Sequence, residues 1–103
     1  MYQYSATVIK VVDGDTVDFS VDLGFKLRFQ LRGRLAGLNA PEGKQTEAAN
    51  WLHEQLPVGQ VVIIETKKTQ EKYGRWLVTI FLEDRNLNEE LLAGGLAIPY
   101  ANH

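Results

Sequence analysis

The sequence predicts a β-rich α+β domain: a five-stranded, partly open barrel of the OB type, with a helix inserted between strands 3 and 4 and a short helix after strand 5. Three observations lead there. Apolar and polar residues alternate with a period of two from Thr16 to Leu23 and again over residues 26 to 38, as half-buried strands require. Gly33 and Gly37 interrupt the second of these runs, where a small barrel must bend. Helical apolar spacing follows Pro41 and returns near the end of the chain.

The first strand is Tyr2 to Val12, rich in β-formers and joined to the second through Asp13-Gly14, a dipeptide that favours the positive φ of a tight hairpin. Along the second strand Val17, Phe19, Val21 and Leu23 fall on one side, with Thr16, Asp18, Ser20 and Asp22 on the other. In the third, Leu27, Phe29, Leu31 and Leu35 are expected inward, which places Arg28, Arg32 and Arg34 together on the opposite face. Ala48, Trp51, Leu52, Gln55 and Leu56 give an amphipathic helix capped by Thr46 or by a residue nearer Pro41, ending around Pro57-Val58-Gly59. Val61 to Ile64 and Trp76 to Leu82 are nearly continuous in apolar residues and read as strands buried on both faces, linked by a charged loop from Lys67 to Tyr73. Asn86 with Glu89 resembles a capping box, and Gly94-Gly95 supplies the stop of a second short helix.

With 103 residues, 45% hydrophobic and 23% charged, the chain has the composition of one folded domain, expected to span residues 1–103. The absence of cysteine removes disulfides, thiolate metal sites and thiol nucleophiles, so any metal must be held by oxygen or histidine. His53 and His103 have no partners at ligand spacing and are read as surface residues, without zinc. No apolar run is long enough to span a bilayer, and MYQYSATVIKVVDGD has no export pattern. A soluble chain without membrane association is expected, cytoplasmic as given or secreted if trimmed from a precursor. The formal net charge of −2 provides no global attraction to a polyanion, so nucleic-acid binding requires local clustering of basic residues. Lys67, Lys68 and Lys72 with Arg28, Arg32, Arg34 and Arg75 are the candidates for such a surface.

Three segments carry candidate chemistry: Val12-Asp-Gly-Asp-Thr16, Arg34-Leu-Ala-Gly-Leu-Asn39-Ala-Pro41-Glu42, and Lys72-Tyr-Gly-Arg75. Taken singly, each has an ordinary alternative: a capped turn, a helix start with Pro41 at its first position and Glu42 in its first turn, and an exposed turn with a solvated arginine. Taken together and in this order, they resemble the signature of the staphylococcal-nuclease-like, or thermonuclease, family over roughly residues 6 to 100.

That resemblance implies an OB barrel with helices and a calcium-dependent nuclease that hydrolyses phosphodiester bonds of DNA and RNA. Single strands are the expected partner. By position it implies Asp15, Asn39 and the carbonyl of Ala40 as metal ligands, with other divalent cations as alternatives to calcium. Glu42 would orient or deprotonate the attacking water, while Arg34 and Arg75 would bind the phosphate and stabilise the five-coordinate transition state. Glu71, Lys72, Leu77 and Tyr100 match positions of the family's nucleotide pocket. Asn39 departs from the pattern, which has aspartate there, so calcium affinity is expected to fall with the lost formal charge. The ending Tyr100-Ala-Asn-His103 lacks the further C-terminal helix of better-known members, which suggests a minimal member, a trimmed chain or weak self-association of an otherwise monomeric domain. The alternative from another class is a catalytically weak or inactive module that binds nucleic acid or protein.

Overall fold

Strands β1 (Tyr2–Asp13), β2 (Thr16–Asp22) and β3 (Arg28–Leu35) form an antiparallel meander in the computed structural model, which describes residues 2–43, 46–70 and 76–100. The two-residue β4 (Leu38–Asn39) follows, then helix α1 (Glu47–Gln55), β5 (Val61–Gln70) and β6 (Trp76–Leu82). Short β7 (Arg85–Asn86), helix α2 (Leu87–Ala93) and β8 (Ile98–Pro99) complete the described order. The sheet runs β3-β2-β1-β5-β6-β7, and β3 also pairs with β6, in parallel, through Gly33↔Trp76, Arg34↔Leu77 and Leu35↔Val78. Five long strands thus close into the expected OB-type barrel, with α1 between the third and fourth and α2 after the fifth.

The glycines act differently from the sequence expectation. Neither Asp13 nor Gly14 has a positive φ. Gly14 is required by crowding, because a Cβ there would lie 2.6 Å from the Ala48 Cβ and 3.0 Å from the Ala40 Cβ. Gly33 sits at the seam, where a Cβ would meet Val78 Cγ2 at 2.8 Å. Gly37 does supply a left-handed turn, at φ 82°. The bending expected of the third strand is carried largely by β1, whose register with β2 shifts between Val8 and Lys10 and again between Val11 and Asp13.

Several side chains expected inside are exposed. Leu23, Leu27 and Phe29 are 48%, 61% and 47% accessible. Their hairpin tip, turned by Gly24, Phe25 and Lys26 at positive φ, extends past the stretch of β3 that β6 covers. A cavity of about 110 Å³, lined in part by Tyr4, Val21, Phe29, Leu31 and Trp76, marks this open part of the barrel. Strand β5 is half-buried, not buried on both faces: Val62 and Ile64 point into the core, whereas Val61 and Ile63 face out. It also continues through Lys67 to Gln70, so that part of the expected loop is strand.

Helix α1 begins at Glu47, with Thr46 Oγ1 accepting from the Ala49 N–H at 3.2 Å. Pro41 and Glu42 lie before it in irregular chain, which removes the helix-start explanation of that segment. The helix buries Ala48, Ala49 and Leu52 against the barrel end. Helix α2 is capped by Asn86 Oδ1, which accepts from the Glu89 N–H at 3.1 Å. It ends with Leu96 N–H on Leu91 O and Gly95 N–H on Leu92 O, the paired bonds of a Schellman stop with Gly95 left-handed. The core runs from Val8, Val17 and Phe19 through Leu35, Ile64 and Ile80 to Leu52, Leu87 and Leu91.

Candidate functional site

The β1–β2 turn, the end of β3 and the β4 segment meet at one end of the barrel, and each delivers polar groups there. Asp15 is the second residue of the turn closed by Asp13↔Thr16. Its backbone is held at both ends: its N–H donates to Asp13 Oδ1 at 3.1 Å, and its carbonyl accepts from Leu35 N–H at 2.7 Å. The Asp15 side chain is buried, with Oδ1 accepting from the Thr16 hydroxyl and Oδ2 from the Ala40 N–H, both at 3.1 Å. Asp13, beside it, has its carboxyl pushed up from its ordinary value, first by burial and then by its contact with Asp15. Two adjacent carboxylates at a turn concentrate negative charge.

Arg34 faces outward on β3, across from Thr16 on β2 and Leu77 on β6. Its side chain is only 13% exposed because it is clasped from three directions. Nη1 lies 3.5 Å from Asp15 Oδ2, Nη2 donates to Asn39 Oδ1 at 2.9 Å, and the guanidinium carbon stands 5.5 Å from the centre of the Tyr100 ring, within cation–π range. The pairing of β4 with β8 makes this convergence possible. Leu38↔Pro99 and Asn39↔Ile98 are in register, and Tyr100 N–H donates to the Gly37 carbonyl at 3.0 Å. Leu77 is 2% exposed although it lies on the outer side of the barrel, since residues paired across strands share a face and its neighbour there is Arg34.

Of the residues singled out in the sequence, the fold therefore brings together Asp15, Arg34, Asn39, Ala40, Leu77 and Tyr100. Glu42 is exposed, two residues beyond Ala40, next to a cleft of about 270 Å³ lined by Asn39, Ala40, Pro41 and residues 95–98. Glu71, Lys72 and Arg75 lie outside the described residues. The basic surface is only partly available, since Arg32 is engaged by both oxygens of Asp18, at 2.8 and 3.0 Å. Among the described residues no three His, Cys, Asp or Glu side chains converge as a metal cluster, and no helix is long and apolar enough to cross a membrane. His53 is exposed on α1.

Two contributors were not singled out in the sequence. Asp13, a turn residue by its sequence, holds the Asp15 backbone in place by accepting its N–H. Asn88 bonds to Ala36 and Val78 on either side of the seam, and its position among the apolar residues of a short amphipathic helix was the available signal.

Such an arrangement defines an OB-type barrel that gathers an acidic turn, a held guanidinium and an amide oxygen at one end. The chain matches the staphylococcal nuclease homologue family model over residues 32–103, and it belongs to that family. It is 30% identical over 107 residues to Protein ParB of Escherichia coli, a match covering 93% of this chain and 57% of that protein. The chain thus spans somewhat over half the length of that relative. Family membership supports a nuclease or nucleic-acid-binding module.

Proposed function

We propose that the protein is a divalent-metal-dependent nuclease that hydrolyses phosphodiester bonds in single-stranded DNA and RNA. The observation that carries this reading is the Arg34 guanidinium poised against both Asp15 and Asn39, which puts a phosphate-binding fork beside a set of oxygen donors. The carboxylate of Asp15, the amide oxygen of Asn39 and the carbonyl of Ala40 are the hard donors that calcium takes, so the residues fit that ion by type. With one carboxylate in the set, weak affinity is expected. Bound calcium would supply charge neutralisation at the phosphate oxygens.

In the proposed reaction, Arg34 and Arg75 hold the two non-bridging oxygens of the phosphate by paired charge-assisted hydrogen bonds. Both remain in place as the phosphorus centre gains a fifth oxygen and additional negative charge, so the field needs no rearrangement in the transition state. Glu42 accepts a proton from the attacking water. The water oxygen bonds to phosphorus, the bond to the leaving sugar oxygen breaks, and that oxygen takes a proton from solvent water to leave as a hydroxyl. Asp15 keeps Arg34 oriented, since its carboxylate is itself held by the Thr16 hydroxyl and the Ala40 amide. Glu71, Lys72, Leu77 and Tyr100 are proposed to flank the nucleotide, with the half-exposed Tyr100 ring available for stacking on an unpaired base.

The test is cleavage of single-stranded DNA in calcium, in chelator, and by Glu42→Gln. Cleavage that requires calcium and falls at least about 100-fold in the variant is expected from loss of a general base. Salt-sensitive binding without cleavage would instead assign a binding module.

A further inference from the structure

The even-numbered residues of β3 all face outward, so Arg28, Gln30, Arg32 and Arg34 form one row that ends in the candidate site. Their β2 partners on the same face are Asp22, Ser20, Asp18 and Thr16. Lys10 on β1 extends the Asp18–Arg32 row. Within this face the cations are not equivalent. Arg32 is neutralised by Asp18, and Asp22 is occupied in accepting the Gly24 N–H at 2.8 Å. Arg28, in contrast, is held only by neutral oxygens: Nε on Ser20 Oγ at 2.7 Å, and Nη2 on the Ser20 carbonyl at 2.9 Å and on Thr7 Oγ1 at 3.2 Å. Among the described residues, no carboxylate pairs with it and Nη1 has no hydrogen bond. Its guanidinium is oriented by neutral oxygens and makes no ion pair, although the Asp22 carboxylate lies opposite it on the same face, so little side-chain entropy remains to be lost on binding an anion. Between Arg28 and the site lies a shallow groove of about 440 Å³ lined by Lys10, Gln30 and Arg32, with Ile9, Leu31 and Asp18. No aromatic side chain lines it, so it suits a backbone better than bases.

We propose that this outer face of β1, β2 and β3 is a phosphate track, on which Arg28 and Lys10 hold backbone phosphates of a single strand remote from the bond cleaved at Arg34. This rests on the nuclease reading above and extends it. From Arg34 to Arg28 is six residues of strand, about 20 Å at ~3.3 Å per residue. That length corresponds to about six nucleotides of stacked strand at ~3.4 Å each. It falls within the ~4–16 nucleotides that OB folds engage. Substrate length therefore becomes a specificity determinant.

The experiment compares oligothymidylates of three and nine nucleotides as substrates for the wild-type chain and for Lys10→Ala, Arg28→Ala and the double variant. Expected is a rise of about threefold to tenfold in KM for the nonamer in the double variant, with kcat unchanged and the trimer unaffected. The log–log salt dependence of nonamer affinity should also flatten by about 1.4, since each single-strand phosphate contact contributes ~0.7. An equal loss on both lengths, or none on either, overturns the track. Thermal unfolding checks that each variant is folded, and Lys10→Ala carries the test alone if Arg28→Ala is not. If the wild type neither binds nor cleaves the nonamer, the nuclease reading fails and the track with it. If it does both while the variants match it, only the track fails.

Discussion

Replacing Asn88 by alanine opens the seam of the barrel at a point no strand covers. Pairing of β3 with β6 ends at Val78, and pairing of β7 with β6 begins at Phe81. The buried side chain of Asn88, on α2, bridges that gap. Its Oδ1 accepts from the Ile80 N–H, and its Nδ2 donates to the carbonyls of Ala36 and Val78, all at 3.0 Å. In Asn88→Ala the Val78 carbonyl keeps the Ala36 N–H at 2.8 Å, and the half-buried Ala36 carbonyl can take water. The Ile80 N–H cannot, and a buried orphan costs ~1–3 kcal/mol, with ~0.5–1.5 for each other bond lost. The total is about 2–6 kcal/mol, out of the ~5–15 kcal/mol typical of a domain this size. Urea unfolding should show a lower midpoint at an unchanged slope, and Tm should fall by roughly 8–48 °C at ~4–8 °C per kcal/mol. Asn88→Asp keeps the acceptor for Ile80 but sets a carboxylate against two carbonyl oxygens, so at pH 7 it should be at least as destabilised. A loss below about 1 kcal/mol in Asn88→Ala would refute the assignment of the seam to this side chain.

Three further outcomes are expected. Gly14→Ala should cost about 1–3 kcal/mol by overpacking against Ala48, and adding Ala48→Gly should recover most of it, read by chemical denaturation; additive losses would contradict the contact. Asn39→Asp should tighten calcium in a calorimetric titration by restoring a formal charge, with unchanged affinity arguing against Asn39 as a ligand. Asp13→Asn should raise Tm at pH 7. The native carboxyl of Asp13 binds its proton more tightly than an unfolded one, so stability is lost as pH rises from 3.8 through the raised native value. Below pH 3.8 the variant and wild type should converge, and an equal difference at both pH values would contradict the shift.

Much of the fold was legible because its signals are local. The alternation of Val17, Phe19 and Val21, the Thr46 and Asn86 caps and the Gly95 stop each depend on a few neighbouring residues, and all are found as expected. Leu27 and Phe29 were misplaced because alternation specifies which face a side chain takes, not whether another strand covers that face. For the same reason the apolar run at Val61 to Ile64 gave no sign that its outer face would lie bare.

Within the candidate site, Asp15, Arg34, Asn39 and Ala40 were identifiable from the motifs they occupy. Their clasp was not. Sequence by itself determined the strand and helix order, the outward parity of the three arginines and the carriers of candidate chemistry, since these follow from periodicity and from the turn and capping chemistry of single residues. Only the tertiary structure decided that β3 would meet β6, that β8 would bring Tyr100 over Arg34, and that Asn88 would join the seam. Those contacts pair residues tens of positions apart, and their free energy exists only once the core has brought the segments together.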